Sequence, residues 1–273
     1  MRIVELPQKN DIQAREMKMC IDKEICKYNI EPFPNHTGAR IIVIGQPRAG
    51  KSSLIFNTLR DKKVYRKRFD NIYLIAPSNS LNSLKDFPLD QLNQNKIINE
   101  LDEGVLMNLR EKLEEHKENG ETSIVIIDDF ASTLKEHRIQ LQLNHLFANA
   151  RHLNSVFFVL VQTFRFLPDK MRKMASDVVL VGKPKNKSEM KALSEEILYK
   201  DPKQVEALFN YAFKKRHDFL WIKDDKIYRN FKQLEIEDWW NVLFIVLLCF
   251  LCFFLSPLRN TKNPPLQKRS EMC

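Results

Sequence analysis

Gly45-Gln46-Pro47-Arg48-Ala49-Gly50-Lys51-Ser52, entered directly from the apolar run Ile41-Ile42-Val43-Ile44, decides the fold. It matches the phosphate-binding pattern G-x-x-x-x-G-K-[ST] at every fixed position. Two glycines free the backbone to wrap a polyphosphate with its N–H groups turned inward. Lys51 is then within reach of the β and γ phosphates, and the Ser52 hydroxyl can ligate Mg²⁺. Ser53-Leu54-Ile55-Phe56-Asn57-Thr58-Leu59 reads as the following helix, whose N-terminal dipole and free N–H groups favour an anion. A buried strand before the loop and a helix after it form the context that gives the motif meaning. Residues 45–53 are therefore the candidate nucleotide-binding set.

The partner element is Ile124-Val125-Ile126-Ile127-Asp128-Asp129, four apolar residues ending in two acids. Such a strand emerges near the phosphates. Asp128 is expected in the Mg²⁺ shell, and Asp129 is expected to orient and deprotonate the attacking water. Neighbouring strand residues face opposite ways, but a turn at the strand end lets both carboxylates approach the γ phosphate. Ser155-Val156-Phe157-Phe158-Val159-Leu160-Val161 is a further buried strand, tipped by Gln162, whose amide suits a γ-phosphate sensor. Asn71-Ile72-Tyr73-Leu74-Ile75 reads as another strand, lying in sequence between the two nucleotide motifs. The fold class expected is α/β: a P-loop NTPase of RecA/ASCE type, a three-layer sandwich on a mainly parallel sheet.

Between these strands, Leu106, Leu109 and Leu113 mark one helical stripe, and Leu141, Leu143, Leu146 and Phe147 another. Glu31-Pro32-Phe33-Pro34-Asn35 breaks any helix ahead of the first strand. Residues 1–37 are thus an N-terminal lead-in, 38–232 the ATPase domain, 233–258 a hydrophobic helix, and 259–273 a basic tail. The chain of 273 residues carries 44 Lys+Arg against 35 Asp+Glu, a net charge of +9, which suits an anionic partner such as nucleic acid or a membrane surface. One basic cluster, Arg60 to Arg68, reads either as a phosphate-backbone contact or as a solvated helix end. Five cysteines in a chain of this length indicate reduced thiols and a cytosolic or nuclear compartment. Cys20, Cys26 and His36 fall short of a zinc site. No apolar secretion signal follows Met1, so the catalytic part is expected to face the cytosol.

These residues resemble the DNA-packaging ATPases of the FtsK–HerA superfamily, found in large double-stranded DNA viruses and in polinton-like mobile elements. The matching residues are Gly45 to Ser52, Phe69 to Leu74, Ile126 to Phe130, and Ala150-Arg151-His152-Leu153-Asn154-Ser155 running into Gln162. Leu167-Pro168 with Arg172-Lys173, and Asp218 to Ile222 near Tyr228-Arg229-Asn230-Phe231, continue the match. The resemblance implies an ATP- and Mg²⁺-dependent ring, a hexamer or related homo-oligomer, that translocates double-stranded DNA without sequence preference towards a capsid or portal protein. Carried over by position, Lys51 and Ser52 bind nucleotide and Mg²⁺, Asp128 serves the metal, and Gln162 is the sensor. Asp129 takes the catalytic acid's place, where many members have Glu. Arg151 is the candidate to reach a neighbour's ATP; a structural salt bridge is its alternative. Arg165, Lys170, Arg172, Lys173, Lys183, Lys185 and Lys187 could face a DNA channel or form a solvated basic surface.

Trp239-Trp240 precede an uncharged apolar run from Val242 to Leu255. With its flanks it approaches a bilayer's roughly 30 Å hydrocarbon thickness. Residues 239–258 are therefore expected to form a single membrane anchor. Two other functions compete. A regulatory GTPase would need a guanine-reading Asn-Lys-x-Asp, but Asn186-Lys187-Ser188-Glu189 ends in Glu, and Ala131 stands where a switch glycine belongs. A membrane-anchored nucleotide-binding scaffold without hydrolysis would have no use for Asp128, Asp129 and Gln162.

Overall fold

Strands buried on both faces need apolar side chains at every position, and such runs form the centre of this protein. The computed structural model describes residues 22–82, 96–130 and 132–235. The chain divides into two compact units, Met1–Gln233 and Leu234–Cys273. β1 (Arg40–Ile44) leads through the glycine loop into α1 (Lys51–Arg60). β2 (Asn71–Ile75), the short helix α2 (Ser78–Asn82) and β3 (Ile97–Ile98) follow. Next come α3 (Glu103–Glu118), β4 (Ser123–Asp128), α4 (His137–Ala148) and β5 (Ser155–Val161). α5 (Asp169–Met174), β6 (Asp177–Val181), α6 (Lys187–Leu193) and α7 (Pro202–Ala212) complete the α/β part. β7 (Phe219–Lys223), β8 (Lys226–Arg229) and β9 (Lys232–Leu234) close the described chain.

The nine strands of the described residues join one sheet in the order β3-β2-β4-β5-β1-β6-β7-β8-β9. Every pairing from β3 across to β6 is parallel, and β7 and β8 run antiparallel. The register pairs Ile44 with Val161 and Ile75 with Ile127, so the loops after β1, β2, β4 and β5 emerge along one edge. Ligands of open α/β sheets bind at that carboxyl edge.

Alternation along each strand builds two apolar layers. Ile41, Val43, Ile124, Ile126, Phe158 and Val179 face Ile55, Phe56 and Leu59 of α1, together with Phe33, Tyr65 and Phe69. On the other face, Phe157 meets Phe147 of α4 with ring centroids 5.7 Å apart, and the Tyr73 hydroxyl bonds His116 of α3 at 2.8 Å. Three layers follow from this alternation. The α3 stripe Leu106, Leu109 and Leu113 is buried. On α4 the buried stripe is Ile139, Leu143, Leu146 and Phe147, while Leu141 is exposed. Leu141 lies on the same helix but between the two ridges that meet the sheet, and so faces solvent.

Among the described residues no helix is long and apolar enough to cross a membrane, and no cluster of His, Cys, Asp and Glu could hold a metal by itself. The expected anchor at 239–258, Cys20 and Ala131 lie outside the described residues. Cys26 is a buried free thiol.

Candidate active site

The loop between β1 and α1 needs its glycines for two different reasons. A Cβ on Gly45 would sit 2.6 Å from the carbonyl oxygen of Val181, in the neighbouring strand β6. Gly50 has φ of +106°, and a Cβ there would come within 2.9 Å of His217. Between them, Arg48 also takes a left-handed backbone at φ 62°. Pro47, Arg48, Gly50, Lys51, Ser52 and Ser53 line a cavity of about 260 Å³. Gly45, Gln46 and Ala49, of the same loop, are not among its lining residues. Lys51 donates to the carbonyl of Gly45 at 2.7 Å and to that of Gln46 at 3.4 Å.

Asp128, Asp129, Gln162 and Ser80 line the same cavity. The Ser52 hydroxyl donates to Asp128 Oδ2 at 2.5 Å. Asp129 has φ of 63°, and this kink turns its carboxylate to the same side of the sheet edge as Asp128. Aspartate tolerates that region better than most residues, and such outliers cluster at functional sites. Its two oxygens accept from Ser80 Oγ at 2.8 Å and from Gln162 Nε2 at 3.3 Å. Ser80 escaped sequence reasoning because it belongs to no motif. The signal was topological: β2 neighbours β4, so a polar residue just after β2 must come near the acids that follow β4.

Burial dominates the electrostatics. It pushes the Lys51 ammonium down from its ordinary range, against the pull of Asp128 and Asp129. It pushes the Asp128 carboxyl up, against the Ser52 hydrogen bond and the Lys51 charge, with Asp129 adding repulsion. The adjoining hydroxyl and carboxylate of Ser52 and Asp128 are hard oxygen donors, a pair that fits Mg²⁺, which keeps most of its waters and takes one or two protein oxygens.

A second group missed in the sequence is His217, in the turn before β7. Its Nδ1–H donates to the carbonyl of Ala49 at 2.6 Å, bridging 168 positions of sequence. The turn is held by Asp218, whose carboxylate accepts from the backbone N–H groups of Lys214 (2.9 Å) and Lys215 (2.7 Å), from Arg229 (3.1 Å) and from Asn230 (2.7 Å). Burial alone would raise this carboxyl; the Asn230, Lys215, Arg229 and Lys214 donors outweigh it and lower its pKa from 3.8 to about 2. Because the folded value lies below the unfolded one, its stabilisation is complete above pH 3.8 and lost as pH falls through about 2. Asp218→Ala is expected to destabilise the fold by about 3 kcal/mol in urea unfolding at neutral pH, because Arg229 and two N–H groups lose their partner.

Arg151 is not at this cavity. It precedes β5 and forms an ion pair with Asp22. Its Cβ lies 3.2 Å from where Gly38, ahead of β1, would carry one. Gly38 and Gly45 flank opposite ends of β1, so Arg151 lies about 20 Å from its own phosphate loop. The basic stretch from Arg165 to Lys187 also divides. Arg172 is engaged by Glu196 at 2.8 Å and by the Leu167 carbonyl at 2.9 Å, and Lys173 pairs with Asp169 at 2.8 Å. Those two are structural cations. Lys183, Lys185 and Lys187 remain exposed. A larger cavity of about 630 Å³ opens at the opposite end of β6, where Arg172 and Lys173 already have their carboxylates.

Fold and site together define a P-loop nucleoside triphosphatase with one strand, β5, between the loop strand and the acidic strand. The sequence profile of the Poxvirus A32 protein family matches residues 33–234. The chain belongs to the poxvirus A32 protein family. Among curated protein sequences no significant match is found. The DNA-packaging ATPase B204 of Sulfolobus Turreted Icosahedral Virus superposes with a TM-score of 0.55 at 18% identity, over 73% of this chain and 98% of that one. The genome packaging NTPase B204 of Sulfolobus turreted icosahedral virus 2, solved with AMPPCP, gives 0.51 at 16%, over 73% and 99%. ATPases 2 and 3 of EssC from Geobacillus thermodenitrificans give 0.51 at 17%, over 77% of this chain and 42% of that one. The resemblance to FtsK–HerA packaging ATPases read from the sequence therefore holds at the level of family and fold.

Asn186, part of the near-match to a guanine-reading motif, is used otherwise. Its side chain accepts from Ser188 N (2.9 Å) and Oγ (2.8 Å), capping α6. Glu189 is buried and accepts from the backbone N–H of Phe164.

Proposed function

We propose that this protein is an ATP-hydrolysing motor that packages double-stranded DNA into a capsid, working as a homo-oligomeric ring. The observation that carries the reading is the shared cavity: the Lys51 and Ser52 side chains, two adjacent carboxylates and a strand-tip amide all border it. The loop's N–H groups and Lys51 bind the triphosphate, the ammonium exchanging the Gly45 carbonyl for phosphate oxygens. Ser52 and Asp128 would hold Mg²⁺. Bound there, the ion would supply positive charge against the triphosphate.

Gln162 and Asp129 position one water in line with the γ phosphorus. As its oxygen bonds to phosphorus, the bond to the β–γ bridging oxygen breaks and ADP leaves. The water's proton passes to Asp129, which Ser80 keeps aimed. Arg151 cannot serve its own subunit's nucleotide from the opposite end of β1. In a ring it serves the next subunit, giving up Asp22 for the developing charge, where such an arginine is worth about a thousandfold or more in rate.

The test is phosphate release by the full chain with ATP or GTP, with and without duplex DNA of random sequence. ATP turnover several-fold higher on DNA, together with ATP-dependent assembly in sedimentation, is expected. Equal ATP and GTP turnover indifferent to DNA would remove the motor reading.

A further inference from the structure

Beside the phosphate loop lies a cationic surface that the nucleotide chemistry leaves unused. Two loops build it: residues 182–187 after β6, and residues 214–217 before β7. They are tied together, Gly182 N donating to the Asp218 carbonyl at 3.0 Å and Lys183 Nζ to Asn210 Oδ1 at 2.6 Å. Lys183, Lys185, Lys187, Lys214, Lys215 and Arg216 are all exposed. Among the described residues none of these six pairs with a carboxylate, whereas Arg172, Lys173, Lys191, Lys226 and Arg229 all do.

The local acids are already committed. Asp218 takes four donors and Glu189 is turned inward to Phe164. Lys214 rests over the exposed ring of Tyr211 at 5.0 Å, with Arg229 against the same ring at 5.6 Å. Asp218 thus fixes the backbone from which Lys214, Lys215 and Arg216 project. Uncompensated cations on a rigid turn suit a repeating anion, and the backbone of a duplex is one. The next residue after this turn's cations is His217, whose imidazole holds the Ala49 carbonyl and packs against Gly50. The turn and the phosphate loop are thus in direct contact through this imidazole.

We infer that the Lys214–His217 turn is where duplex DNA acts on ATP: Lys215 and Arg216 take backbone phosphates, and His217 carries the displacement to Ala49 and Gly50. His217 is a positioning residue, and the inference rests on the motor reading above. It is tested on the full chain by two measurements, DNA affinity against salt and the change in ATP KM and kcat that DNA produces. Lys215→Ala/Arg216→Ala is expected to lower the slope of log affinity against log salt by about two, the release expected for two phosphate contacts.

His217→Gly accepts the φ of 70° without strain, and it is expected to keep the DNA salt slope while the DNA-induced change in KM and kcat shrinks to near onefold. His217→Asn places an amide N–H near the position of Nδ1, tolerates the same backbone, and is expected to restore the response. An unchanged salt slope in the double variant overturns the DNA surface, also where that variant instead loses self-assembly and so marks the turn as a subunit contact. A full DNA response in His217→Gly, or none in His217→Asn, overturns the coupling. A wild-type chain indifferent to DNA overturns the motor reading, and this inference with it.

Discussion

Lys51→Ala is expected to lower ATP turnover by about a hundred- to a thousandfold, the scale on which removal of a preorganised donor to a developing anion is felt. The reason lies in how this ammonium is kept. It is 9% exposed, and burial works against its charge, held off by two neighbouring carboxylates. A cation so poorly solvated gains more from a triphosphate than a surface lysine would, because less water has to be stripped from it. Alanine removes both that attraction and the Gly45 and Gln46 hydrogen bonds that shape the loop. Nucleotide affinity should fall with turnover. The melting temperature should stay within a few degrees, since no apolar contact of the core is lost. Phosphate release and titration with a fluorescent ATP analogue measure the two effects. Turnover within tenfold of wild type would contradict the assignment.

Asp129→Asn is expected to separate the two properties. Asparagine is isosteric, tolerates φ of 63°, and still offers one oxygen to Ser80. What disappears is the capacity to accept a proton, and general-base removal costs about a hundred- to ten-thousandfold in rate. ATP binding should persist, because the groups facing the phosphates, Lys51 and Ser52, are untouched. Equilibrium dialysis with ATP against single-turnover hydrolysis distinguishes the outcomes. Loss of binding in step with turnover would make Asp129 a structural acid.

Four strands of the parallel half, β1, β2, β4 and β5, were legible because a strand covered on both faces has to be apolar at nearly every position, as in Ile41–Ile44, Ile124–Ile127 and Val156–Val161. The carboxyl edge was legible for the same reason: each apolar run ends abruptly in a functional group. Beyond Gln162 the physical signal weakens. β6 begins with the buried Asp177, which accepts from the Trp221 indole at 2.8 Å. β7 and β8 carry charges at their ends, so the antiparallel hairpin reads as mixed sequence. The match at Asp218-Phe219-Leu220-Trp221-Ile222 and Arg229-Asn230 was visible without a reason. The reason is the carboxylate of Asp218 gathering a turn and the end of β8. Ser80 reaches the cavity, and His217 the phosphate loop, only through tertiary structure, from loops with no fixed spacing to the glycines. Arg172 and Lys173 looked available in one dimension, and Glu196 and Asp169 consume them in three.

Strand β1 finally bears on the assembly proposed above. One tip carries the phosphate loop, and Arg151 packs at the other, so the arginine proposed to act in trans and the site it would complete sit at opposite poles of one strand. A two-fold dimer repeats one patch against itself and brings unlike poles together only if both lie in that patch. The separation along β1 disfavours this, so completion of a neighbour's site by Arg151, as proposed above, would call for a heterologous, head-to-tail contact. In the proposed ring each subunit would present its phosphate-loop pole to the Arg151 pole of the next, an asymmetry set by the two ends of a five-residue strand.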